Sequence, residues 1–293
     1  MNLTVTVLQI VAPVFLLASI GFVWVKVGLE YRIQFVTQLA MTLSLPCLIF
    51  VSLMQTRIAP DALTALSLAS VMAYAIISLA FLALVRLLHL EGRTYTAPLI
   101  FGNTGNLGLP LALFAFGDVG LSYAIIVFAI MALWSYTYGI WLVAGAGSLG
   151  RVLREPLVWA TVLGALFMWQ GWETPEFLTN TLDLIGQMAI PMMLITLGVA
   201  VARLSAKGMV RAVALSFVKL SLCVVVAWGV GSVFELDHIA FGVLVLQVAT
   251  PVAVTSYLIA EKYGADAPSV AGLVVASTLM SVAALPLILA FVL

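Results

Sequence analysis

Residues 102 to 110 read G-N-T-G-N-L-G-L-P, and residues 246 to 256 read L-Q-V-A-T-P-V-A-V-T-S. Glycine is costly within a helix, and an interior proline removes a hydrogen bond and clashes with the preceding turn. The two stretches therefore predict breaks, at Gly102–Gly108 and around Thr250–Pro251. A break exposes free amides at the start of one half-helix, which attract anions. It also exposes carbonyls at the end of the other, which suit cations or donors. Asn103, Thr104, Gly105 and Asn106 would line the first break, with Pro110 near the first position of its second half-helix. Gln247, Thr250 and Pro251 would line the second, with Thr250 as N-cap and Pro251 opening the half-helix. Asn side chains both donate and accept, so the chemistry read here is recognition of a small anion. The competing reading is that Gly and Pro only kink packed helices.

These breaks lie in a chain of 293 residues that is 64% hydrophobic and 8% charged, with a mean hydropathy of +1.23. A soluble surface needs far more charge, and many runs reach the ~20 residues that cross a hydrocarbon core. The segments do not alternate as barrel strands do, so the expected class is an all-α polytopic membrane protein. Irregular backbone inside a bilayer is tolerated only where protein buries it or a wet cavity meets it. A net charge of zero gives no support for nucleic-acid binding. The first segment lacks a basic start and a cleavage site, and reads as a membrane helix rather than a removed signal.

Charges and turn residues divide the chain into ten spans, at 5–25, 33–55, 62–88, 94–116, 120–145, 156–171, 177–200, 208–234, 239–260 and 268–292. Ten of the twelve Lys and Arg residues then fall on one side: Lys26, Arg32, Arg86, Arg93, Arg151, Arg154, Arg203, Lys207, Arg211 and Lys262. The opposite side holds Arg57, and Lys219 lies within span 8. The positive-inside rule places both termini on the non-cytoplasmic side of the cytoplasmic membrane. Pro13, Gly21, Pro46 and Pro110 recur as Pro156, Gly164, Pro191 and Pro251, at offsets of 141 to 145 residues. Two five-helix halves follow, the second inverted, as in many secondary transporters. The two breaks would then meet near the midplane as one polar site.

Lys219 and Asp183 are the notable ionisable residues within spans, where a charge needs a partner, water or a path to the interface. Lys219 reads as a source of positive charge for the site, as a group alternating with a coupling ion, or as a snorkelling side chain. Asp183 suits an interfacial or helix-pairing role better than proton relay. Gln38 and Gln187 read as partners between helices, and Cys47 and Cys223 as buried small hydrophobes. His89 and His238 sit at span ends, as do Trp141, Trp159, Trp169 and Trp172. The chain holds no P-loop, no H-E-x-x-H and no G-x-S-x-G elbow, so no enzyme is expected. No cofactor or metal is expected either, with Na+ or H+ the candidate coupling ion.

F-G-N-T-G-N-L-G-L-P-L, L-P-C-L-I-F and G-Q-M-A-I-P-M-M-L-I-T-L-G, with L-Q-V-A-T-P-V-A-V as a looser match, resemble the auxin efflux carrier (PIN-like) family over essentially the whole chain. That family includes plant auxin carriers and bacterial malate or malonate permease homologues. The resemblance implies the fold of sodium/proton antiporters and bile-acid symporters, with helices 4 and 9 crossing at Pro110 and Pro251. It implies scaffold helices at 1–60 and 148–206, and a mobile transport domain at 61–147 and 207–293. It further implies an organic-anion substrate, an elevator-like movement and a homodimer formed through the scaffold. The family's asparagine falls on Asn103 or Asn106, while the second-half partners here are Gln247 and Thr250. A uniporter or channel-like protein, or a ligand-binding sensor, on the same scaffold is the alternative function.

Overall fold

In the computed structural model, the described residues are 3–55, 59–144, 156–204 and 208–293. Arg57, Arg151, Arg154 and Lys207, four of the charges counted above, lie outside them, as does the expected domain boundary at 147/148. Among the described residues, fourteen α-helices follow in order. They are α1 (Leu3–Lys26), α2 (Ile33–Leu39), α3 (Leu45–Gln55), α4 (Pro60–Leu87), α5 (Gly92–Ile100), α6 (Leu109–Trp134) and α7 (Ile140–Ala144). After the 145–155 segment come α8 (Pro156–Gln170), α9 (Glu176–Gln187), α10 (Ala189–Arg203), α11 (Met209–Val233), α12 (His238–Val248), α13 (Val254–Lys262) and α14 (Ala267–Val292). Wider π-helical turns lie at Ala40–Ser44, Thr104–Gly108 and Ser135–Gly139.

Among the described residues, seven helical runs are long and apolar enough to cross a membrane. Pro156–Gln170 and His238–Val248 are apolar but shorter. The longest run, Thr104–Ala144, is not one rod, because Gly117 leaves the helix at φ 65°, ψ −157°. Glycine enters this region without a Cβ penalty, so the chain kinks there between two helical stretches. The protein is thus all-helical and polytopic. Its outer surface agrees, since large apolar side chains such as Leu79 (69%) and Phe291 (78%) stand exposed. In water that pattern would drive aggregation; against acyl chains it is the expected outer face.

The helices pack in two groups. In one, α1 runs against α10, and α3 runs against α8 and α9. In the other, α4, α5, α6, α11, α12 and α14 pack together around Tyr74, Ile77 and Phe81, all buried. Small residues set the first group's spacing, as is usual where lipid removes the hydrophobic drive between helices. A Cβ at Gly21 would run into the Ile195 carbonyl, and one at Gly198 into the Ala18 carbonyl. Gly198→Val is therefore expected to push α1 off α10 and lower the melting temperature by several degrees, since overpacking costs about 1–3 kcal/mol. Gly229→Ala, where an added Cβ meets nothing within 4 Å, is the control and should melt like wild type. Equal melting of both variants in detergent would sink this account.

The ends of the second group are tied at one face. Arg93 donates through Nε to the Val143 carbonyl (2.8 Å) and through Nη2 to the Tyr263 carbonyl (2.8 Å). One guanidinium so joins the start of α5 to the ends of α7 and α13. At the other face, Asp237 caps α12 by accepting from the Ile239 and Ala240 amides.

Candidate functional site at the helix crossing

Four half-helices converge where α5 gives way to the Thr104 turn and α12 to α13. The chain is extended at Phe101 and Ala253, and Gly102 and Val252 form an isolated antiparallel bridge. The Asn103 amide donates to the Pro251 carbonyl at 2.7 Å, and the Ala253 amide to the Phe101 carbonyl at 3.4 Å. The crossing satisfies backbone groups that lipid would leave bare. It needs a glycine at 102, because a Cβ there would meet the Thr250 hydroxyl.

The prolines sit differently from the sequence expectation. The first break spans only 101–103, and the chain is helical again from Thr104. Pro110 is the second residue of α6, past the π-helical turn, and does not open the half-helix. Pro251 lies inside the break, with α13 starting at Val254. The chains therefore cross at Gly102–Asn103 against Pro251–Val252, not at Pro110 and Pro251, and the two prolines are not equivalent positions. The cause is the π turn, which absorbs five residues into helix that sequence alone reads as irregular. Thr250 is likewise no N-cap. Its hydroxyl donates to the Gln247 carbonyl at 2.7 Å, closing the end of α12.

The four helix ends are treated unequally. The carbonyl ends of α5 and α12 are met by the protein's own donors: Lys219 Nζ lies 3.1 Å from the Leu99 carbonyl, and Thr250 serves α12. A cation at a helix C-terminus is also favoured by the helix dipole. The amide ends, at Thr104 and Val254, have no helical acceptors for their first N–H groups. They open on a cavity of about 80 Å³ lined by Gly102, Asn103, Gly105, Asn106, Ala253 and Thr255, with Phe101, Phe128, Met131, Ser135, Met41, Leu157 and others around them. A single water needs ~10–15 Å³, so the space admits a small organic group. Asn103 is 5% exposed and its Nδ2 has no partner. An unmet buried donor beside two helix N-termini is a site for an acceptor, and no Lys or Arg lines the cavity.

Of the residues expected at the site, Asn103, Gly105 and Asn106 line this cavity. Thr104 and Gln247 are fully buried, with Thr104 Oγ1 and Gln247 Oε1 unpartnered. Gln247 Nε2 reaches the Ala124 carbonyl at 3.4 Å, and the side chain lies where a Cβ on Gly108 would go. Thr250, Pro251 and Lys219 border a separate, smaller cavity beside the crossing. Asp183 is not brought to the crossing. It accepts from Gln187 Nε2 at 2.8 Å and, with Asp118 and Asp237, lines a crevice of about 980 Å³ between α3, α9–α10 and α6. Sequence reading missed Thr255, Ser135, Phe101 and Phe128. Thr255 stands in the quoted second motif, but an assumed helix start at Pro251 buries it in mid-helix. Ser135 opens S-Y-T-Y-G, a polar run within an apolar span that carried a legible signal.

The comparisons with known proteins now decide the family. The profile described as "Membrane transport protein" matches residues 6–151 and 147–289. The chain belongs to the membrane transport protein family. This is the auxin efflux carrier-like group that its motifs resemble. An uncharacterized transporter of Methanothermobacter thermautotrophicus is 28% identical over 206 residues, covering 67% of this chain and 68% of the relative. The uncharacterized transporter MJ1031 of Methanocaldococcus jannaschii is 24% identical over 196 residues, 62% of each chain. In a membrane transport protein, two broken helices that close their carbonyl ends and open their amide ends mark where cargo is to be sought.

Proposed function

We propose that this membrane transport protein is a secondary transporter of a small organic anion, a carboxylate of auxin-like or malate/malonate-like kind. The observation carrying this reading is the cavity at the crossing, lined by Asn103 and Asn106 on one strand and by Ala253 and Thr255 on the other, where two half-helices begin. A carboxylate offers acceptor oxygens to both. Asn103 and Asn106 would hold it, and Thr255 would support it. Phe101, Phe128 and Met131 would enclose its apolar part.

The movement proposed is elevator-like. The α1–α3 and α8–α10 group serves as scaffold and dimer interface, and the α4–α7 and α11–α14 group carries the cargo. The crevice between the two groups and the glycine-tight scaffold pair support that division. Ten spans in two inverted halves, both termini on the non-cytoplasmic side of the cell membrane, and proton or sodium coupling complete the proposal.

Uptake of labelled mono- and dicarboxylates into proteoliposomes, with and without proton or sodium gradients, tests it. Saturable uptake is expected, lost or weakened in Asn106→Ala and driven by one of the two gradients. Binding without uptake would favour a sensor, and currents far above carrier turnover a channel. Either result would overturn the carrier reading.

A further inference from the structure

Beside the crossing, with no lining residue in common with the Asn103 cavity, a small space of about 10 Å³ lies between α11, α14 and the Thr250–Pro251 segment. That is room for one water-sized body. Lys219 and Ser216 line it from α11, three residues apart and so on one helix face. Lys219 is 2% exposed and Ser216 is 1% exposed. Lys219 Nζ carries three donors and spends one on the Leu99 carbonyl at 3.1 Å. Ser216 Oγ has no partner. No residue around the space is acidic, and among the described residues no carboxylate lies within ion-pair distance of Lys219.

We propose that a monatomic anion, with chloride as its type, binds here between Lys219 Nζ and Ser216 Oγ. A buried ammonium needs an opposite charge as well as hydrogen bonds. A water would meet the spare donors but leave the charge; a halide meets both. Ser277 adds an adaptable hydroxyl. It accepts the Val252 amide at 3.0 Å and donates to the Val274 carbonyl only across 3.3 Å, a long contact that its rotatable O–H can leave. The halide site and the carboxylate cavity have no lining residue in common. Its occupancy fixes the charge that the crossing presents to cargo.

The test is thermal unfolding of the purified full chain in sodium chloride against sodium methanesulfonate, which is neither a halide nor a carboxylate, at constant pH and ionic strength, repeated with sodium bromide. A ligand that binds only the folded state raises the midpoint with its concentration. The expected result is a saturating rise with chloride and bromide, and bromide anomalous scattering between Lys219 and Ser216 in crystals. Ser216→Ala should weaken the halide response about tenfold, the value of one hydrogen bond to a charged group. Lys219→Met should remove it. If that variant does not fold, the wild-type titration, Ser216→Ala and the bromide signal still decide. Equal midpoints in chloride and methanesulfonate, an unchanged halide response in Ser216→Ala, or a water in place of bromide would each overturn the site.

Discussion

Asn103→Ala is expected to weaken organic-anion uptake by about 10- to 100-fold in kcat/KM while leaving the melting temperature near wild type. Asn103 lines the cavity, and its side-chain amide is buried with Nδ2 unpartnered, so removing it frees no protein partner. Its backbone amide would still donate to the Pro251 carbonyl, and the crossing would persist. What is lost is a hydrogen bond to a charged ligand, worth about 1.5–3 kcal/mol, which converts to the stated factor. Asn103→Asp should be worse, because it sets a like charge against the anion and removes a donor. Uptake kinetics alongside melting curves check this pair. Wild-type kinetics in the alanine variant would show that the cargo sits elsewhere.

Gly102→Ala should give the largest combined loss, of both stability and transport. Its Cβ would land on the Thr250 hydroxyl and approach the Thr250 carbonyl to 3.1 Å. One strand must retreat, which strains the Asn103–Pro251 and Ala253–Phe101 hydrogen bonds. Overpacking of this kind costs about 1–3 kcal/mol, and stretched backbone pairs within a bilayer add to it. A double-mutant cycle isolates the cause. With Thr250→Ala the obstructing hydroxyl is gone, so Gly102→Ala should be milder in that background. Were it equally damaging there, the clash with Thr250 would not be its origin.

The helical class, the polytopic character and the two interrupted segments were legible because apolar length, glycine and proline are local signals. G-N-T-G-N marked the break, and Lys219 stood out as a charge in an apolar run. What was misread depended on backbone geometry. Pro110 and Pro251 look alike in sequence, yet one follows a π turn and the other lies in the extended strand. Thr250 has the side chain of an N-cap, but its hydroxyl turns back to the Gln247 carbonyl. The partner of Lys219 is the Leu99 carbonyl, a group every residue possesses and no sequence advertises. Thr255 and Ser135 reach the cavity only through the meeting of distant helices.

The bridge between Gly102 and Val252 has a consequence for biosynthesis. Chains are made from the N-terminus, and domains tend to fold in that order. Here the bare backbone groups at 101–103 must wait in the membrane until the ribosome has passed residue 253, because their acceptors and donors lie on the second strand. The first half, inserted alone, holds an open polar seam that neither lipid nor its own helices can close. It should remain a client of the insertion machinery until its counterpart arrives, and two separately expressed halves should each be degraded yet rescue one another when produced together.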